Sequence, residues 1–184
     1  MAHDVGAGRA LFRRRYRLIA CKRDGRVRLF TRRGYDWTDR YPLIRKAVEG
    51  LRTASAVIDG EAVCCNVAGV AVFEKLHSRA YDDKVFLYAF DLLELDGQDW
   101  RPRPLEERKA KLQKLLVKPP AGIQFSDHLD GDGAAMFAHA CKLGLEGIVS
   151  KRRDSLYRSG RSPYWLKIKN PDAPAMRRIA EIEW

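Results

Sequence analysis

Apolar residues recur along the chain with periods of two and of three to four, and those periods lay out its elements. Residues 16–21 and 27–31 are apolar-rich runs joined at Asp24-Gly25. A D-G pair between such runs supplies the positive φ angles of a tight turn, so an antiparallel hairpin is predicted, leaving the sheet at Arg32-Arg33-Gly34. Leu43, Ile44, Ala47, Val48 and Leu51 fall at helical spacing, which predicts a helix over 40–51, capped by Thr38 or Asp39 and ended near Gly50. Residues 55–65, SAVIDGEAVCC, read as a strand on both sides of Asp59-Gly60-Glu61, with a turn over 66–69.

The most apolar run, KVFLYAFDLL over 84–93, is predicted as a central strand, and Asp96-Gly97 turns the chain after it. Pro104 followed by Leu105-Glu106-Glu107 marks the start of a helix to about 117, stopped by Pro119-Pro120. A short strand over 123–126 precedes a helix capped by Asp132, with Met136, Phe137, Ala140 and Leu143 on one face and Gly144 at its end. Residues 145–152 and 164–170 are strands and 175–184 a final helix, while 1–10 carry no periodicity and read as a poorly ordered lead. Strands interleaved with helices, an opening hairpin and no repeat indicate an α+β fold on antiparallel or mixed sheet.

Composition narrows the function classes. With 184 residues, 46% hydrophobic, the chain can bury a core. Its 35 Lys+Arg against 24 Asp+Glu give a formal charge of +11, which favours a polyanionic partner such as nucleic acid or a nucleotide. Cys21, Cys64, Cys65 and Cys141 lack zinc-ligand spacing and read as reduced residues of a cytosolic protein. No apolar run approaches the roughly 20 residues that span a bilayer, and no signal peptide is recognisable, so no membrane role is expected.

Several residues are candidates for chemistry. Lys22-Arg23-Asp24-Gly25 matches the K-x-D-G tetrapeptide of enzymes that carry a nucleotide on lysine, and surrounding arginines would lower an amine pKa. The competing reading makes it only the hairpin turn. Glu61 is either a solvated position on an open sheet face or a site carboxylate. Asp91 in a central strand marks a buried ion pair or the floor of a site. Lys167 and Lys169 share one strand face, where two ammonium groups suit a phosphate chain, whereas His139 is assigned to solvent.

Taken in order, Thr31-Arg32-Arg33-Gly34, Asp59-Gly60-Glu61, Tyr88-Ala89-Phe90-Asp91, Glu146 to Lys151 and Trp165 to Lys169 resemble the nucleotidyltransferase domain of ATP-dependent DNA ligases, most closely the ligase module of bacterial end-joining ligases. The resemblance implies paired antiparallel or mixed sheets flanked by helices, ATP and Mg2+ (or Mn2+) as cofactors, and nicked or broken double-stranded DNA as partner in the bacterial cytosol. In the implied reaction a lysine takes AMP from ATP, AMP passes to a 5′-phosphate at a nick, and the 3′-hydroxyl displaces it. By the same resemblance Arg17 and Arg32 contact nucleotide or phosphate, Glu61 binds ribose or metal, Phe90 stacks on adenine, Glu146 assists the metal, and Lys167 and Lys169 hold the phosphates. RNA ligases and capping enzymes share these motifs as a further reading.

One part of the pattern is missing. If Arg17 ends the family's K-x-D-G-x-R motif, its lysine, aspartate and glycine fall on Phe12, Arg14 and Arg15. Lys22 is a poor substitute: it lies around 20 Å along the strand from that point, at roughly 3.3 Å per residue, and Val27 occupies the place of the motif arginine. The chain is therefore expected to hold a partial adenylation domain over 16–184, after a non-matching lead over 1–15 and without a following OB-type domain, which a partner would have to supply. A non-catalytic nucleotide- or DNA-binding remnant is the alternative.

Overall fold

The computed structural model describes residues 5–8, 16–67, 71–129, 131–142, 147–160 and 162–172. Two sheets organise these residues. The larger runs in the order β3 (Arg26–Thr31), β2 (Tyr16–Arg23), β4 (Ala56–Val63), β5 (Phe86–Leu95) and β6 (Gln98–Asp99), with β7 (Ile123–Phe125) pairing parallel to β5. The smaller runs in the order β10 (Trp165–Lys169), β9 (Gly147–Arg152), β1 (Val5–Gly8) and β8 (His128–Leu129). Four α-helices accompany them among the described residues: α1 (Pro42–Glu49), α2 (Phe73–His77), α3 (Leu105–Leu115) and α4 (Gly133–Lys142). This is the α+β architecture that the resemblance implied, one mixed and one antiparallel sheet with flanking helices.

The hairpin forms as its turn residues dictate. Asp24 and Gly25 adopt φ of 50° and 70°, a pair of left-handed residues matched to the twist of the flanking strands. Beyond the turn, β2 pairs with β4 over Tyr16↔Ala62 to Lys22↔Ala56, so β2 lies inside the sheet and β3 at its edge. Inward-facing Leu18, Ala20, Val27, Leu29 and Ile58 join Ile44, Val48, Leu87, Leu92 and Leu112 in the main core. A smaller cluster, Ala140 and Ile148 with Met136, Phe137 and Ile168, packs α4 onto the smaller sheet.

Some expectations are corrected. Helix α1 starts at Pro42, with Tyr41 before it and no side-chain cap; proline needs no hydrogen-bond partner there, so the cap is dispensable. Thr38 is used elsewhere, its Oγ1 accepting from Leu29 N at 3.0 Å and donating to Asp36 at 2.5 Å. Within the lead, Val5–Gly8 is a strand, with Ala7 opposite Ser150 on one side and Leu129 on the other. Backbone pairing needs no side-chain periodicity, so V-G-A-G gave no signal. Leu143 to Glu146 and the proposed final helix over 175–184 lie outside the described residues.

One irregularity positions the site. Along β4 and β5, Asp59 pairs with Asp91 but Gly60 pairs with Ala89, leaving Phe90 as an extra residue. A second shift between Val57 and Ile58 leaves Leu93 extra, and two-residue alternation returns with Leu95 in the core. At such bulges two neighbouring side chains turn to the same side of the sheet. Phe90 and Asp91 therefore both leave the apolar face.

Candidate functional site

A cavity of about 1040 Å³ opens between the two sheets and the start of α3. Its walls include Arg17, Arg32, Glu61, Phe90 and Lys167, five of the residues singled out from sequence, drawn from β2, the loop after β3, β4, β5 and β10. Lys169 shares the strand face of Lys167 but lies beyond the described lining. Glu146 and Phe12 lie outside the described residues.

From the cavity wall, Arg17 leads into a set of ion pairs with buried carboxylates. Arg17 Nε donates to Asp59 Oδ1 at 2.9 Å, its Nη2 bonds Oδ2, and the Tyr157 hydroxyl donates to the same carboxylate at 3.1 Å. Burial pushes the Asp59 carboxyl up while the guanidinium opposes it. Burial also works against the Arg17 charge, but bonding to Asp59 more than offsets it, so the guanidinium stays ionised. Next to it, Arg108 of α3 meets Asp91 in a bidentate pair at 2.7 and 3.0 Å with both side chains fully buried. Asp91 thus resolves as the ion pair, and the bulge places it against α3 instead of among the core leucines.

Aromatic and cationic side chains wall the cavity. Phe90 and Trp165 lie edge to face with centroids 6.3 Å apart, and Trp165 is 6.2 Å from Tyr157. The Lys151 ammonium sits 4.1 Å from the Phe90 centroid and 3.8 Å from that of Trp165, with the Arg17 guanidinium carbon at 5.8 and 5.7 Å. Burial lowers the Lys151 ammonium to about 8; Asp91 and Asp59 oppose that shift, and Lys109 and Arg17 add to it. Glu61 lies across from Arg17 on β2 and from Tyr88 on β5.

Sequence reasoning gave no role to Lys151, Trp165, Asp59 or Tyr157. The first three sat inside motifs already noticed; Tyr157, in a loop without periodicity, gave no signal. Lys22, by contrast, is not among the residues that line the cavity. Its Nζ donates to Glu49 O and Leu51 O at 2.7 Å each, tying β2 to the end of α1, and the residue is 8% exposed. Its ammonium is thereby engaged by the scaffold. Among the described residues no group of three or more His, Cys, Asp or Glu could hold a metal. No helix among them is long and apolar enough to cross a membrane.

Comparison with known proteins agrees with this geometry. Residues 15–169 match the family model described as ATP dependent DNA ligase domain. The multifunctional non-homologous end joining protein LigD of Pseudomonas aeruginosa is 41% identical over 158 residues, 84% of this chain and 19% of that protein. The corresponding Mycobacterium tuberculosis protein is 39% identical over 156 residues, 84% of this chain and 20% of its own. The chain therefore spans about a fifth of these relatives. Among solved structures, the ligase domain of M. tuberculosis LigD superposes with a TM-score of 0.77 at 35% identity, covering 91% of this chain and 54% of that one. A mycobacterial DNA ligase D complexed with ATP and MES gives 0.76 at 35%, covering 92% and 55%. This chain belongs to the ATP-dependent DNA ligase family.

Proposed function

We propose that this chain works in ATP-dependent sealing of DNA nicks during strand-break repair, holding an adenosine nucleotide in the cavity between its sheets. The observation that supports this most is the cavity itself: an aromatic wall at Phe90 and Trp165 beside converging cations at Arg17, Arg32, Lys151 and Lys167. A base stacks on the rings and a phosphate chain meets the cations, while the net charge of +11 favours a DNA partner. In this reading Arg32 and Lys167 contact phosphate, Lys169 extends that cationic strand toward DNA, and Arg17 holds Asp59 while lining the pocket. Mg2+ fits a donor set of one carboxylate, Glu61, together with substrate phosphates, because Mg2+ is held by one or two carboxylates and keeps water; Glu146 is the second candidate. When bound it would neutralise charge on the phosphates.

The family's nucleophilic lysine has no counterpart at its register position. Position 12, where the family register places the lysine, holds Phe, and Lys22 is committed to α1. The chain alone is thus expected to bind ATP without a covalent AMP adduct, yet to seal a nick whose 5′ end already carries AMP, since that last step needs only alignment of the 3′-hydroxyl and stabilised charge. Intact mass after ATP and Mg2+, alongside sealing of a pre-adenylated nick, tests both halves. An adduct overturns the register argument; binding of ATP and DNA without sealing reduces the chain to a binding module; no binding of either removes the proposal.

A further inference from the structure

Lys151 differs from the neighbouring cavity cations in how it is held. Lys109 is tethered by donating to Ser126 O at 3.0 Å, and Arg17 by Asp59. The Lys151 ammonium, in contrast, makes no hydrogen bond or ion pair among the described residues and rests only on aromatic faces. Its neighbours from each element are Asp91 and Phe90 on β5, Asp59 on β4, Arg17 on β2, Lys109 on α3 and Trp165 on β10. Cross-strand pairing of Trp165 with Lys151 sets this geometry from the backbone.

At 4.1 Å from the Phe90 centroid the ammonium is in van der Waals contact with the ring, so a base cannot lie on that face while it is there. A lysine stem turns freely about four single bonds, and an anion would attract its charge once the rings were taken. We propose that Lys151 is a displaceable plug: its ammonium holds the Phe90–Trp165 pair in the empty cavity, and an adenosine polyphosphate displaces it from the rings onto its own phosphates. This rests on the nucleotide-binding reading of the cavity. Lys151 then opposes the base and favours the phosphates, so it selects nucleotides over nucleosides.

The test is a crossing of affinities, measured by calorimetry with adenosine and with ATP plus Mg2+ on the chain and on Lys151→Ala, which leaves no side chain long enough to cover the rings. Removing the side chain frees the rings, and adenosine should bind roughly two- to thirtyfold tighter, the range of a cation–π contact from exposed to desolvated. ATP should bind roughly 10- to 100-fold more weakly, the size of a lost charged hydrogen bond. Lys151→Arg, which keeps a cation, should hold ATP affinity within a few-fold. Changes in the same direction for both ligands, or none for either, overturn the plug while wild-type ATP binding leaves the cavity reading standing. If the wild-type chain binds neither ligand, both fail together.

Discussion

Replacing Lys22 by Met separates a lysine that looks catalytic from one that holds the fold. The methionine keeps the apolar stem in place but deletes an ammonium that donates to Glu49 O and Leu51 O at 2.7 Å each. Both acceptors lie at the C-terminal end of α1, where carbonyls lack intrahelical partners and the helix dipole favours a cation. A hydrogen bond to a charged group contributes about 1.5–3 kcal/mol, and the two share one charge whose burial itself costs energy. A loss of about 2–4 kcal/mol follows. For a domain of this size, at about 2–4 °C per kcal/mol, Tm should fall by roughly 5–15 °C. Urea unfolding followed by tryptophan fluorescence, with thermal melts alongside, measures the change. ATP affinity well below Tm should be unaltered, because Lys22 faces the core side of β2 with Leu18 and Ala20, whereas Arg17 faces the cavity. A loss below about 0.5 kcal/mol, or weakened ATP binding by a folded variant, would refute the assignment of Lys22 to the scaffold.

Three further outcomes follow from the geometry. Arg108→Met leaves the fully buried Asp91 carboxyl without its guanidinium partner, which should cost about 3–5 kcal/mol in urea unfolding; adding Asp91→Leu should recover a large part of it. Gly147 has φ of 147° and its added Cβ would stand 2.1 Å from Ile168 O, so Gly147→Ala should part β9 from β10, seen as faster amide exchange in β10. ATP affinity should depend on pH through Lys151. Its ammonium titrates near 8 in the free cavity, and phosphate binding raises that value, so binding takes up a proton above pH 8. Affinity is therefore full below about 8 and falls as pH rises through it, by up to about tenfold per pH unit, while Lys151→Met removes the slope.

Much of the fold was legible because local rules acted without competition. The Asp24-Gly25 turn, the helix started by Pro104 and the cap of α4 by Asp132, whose carboxylate accepts from Ala134 N and Ala135 N at 3.2 Å, formed as residue chemistry predicts. Long-range choices were not legible. Nothing local pairs Asp91 with Arg108, seventeen positions away on a helix, and nothing local seats Lys22 on α1. The cavity residues were found through motif order, since Arg17, Glu61 and Phe90 come together only when β2, β4 and β5 align. Lys151 escaped because its partners are rings, and an ammonium on a ring leaves no spacing pattern in the chain.

The bulge at Phe90 carries a practical consequence for mutagenesis. It sets the ring proposed to stack on a base and the carboxylate that anchors α3 on adjacent residues of one distorted strand. A backbone adjustment at either position is transmitted to the other within a single peptide unit. Phe90→Ala and Asp91→Asn should therefore couple non-additively, and a loss of nucleotide affinity in one cannot be read as a lost contact until the double mutant and the unfolding free energies are measured together.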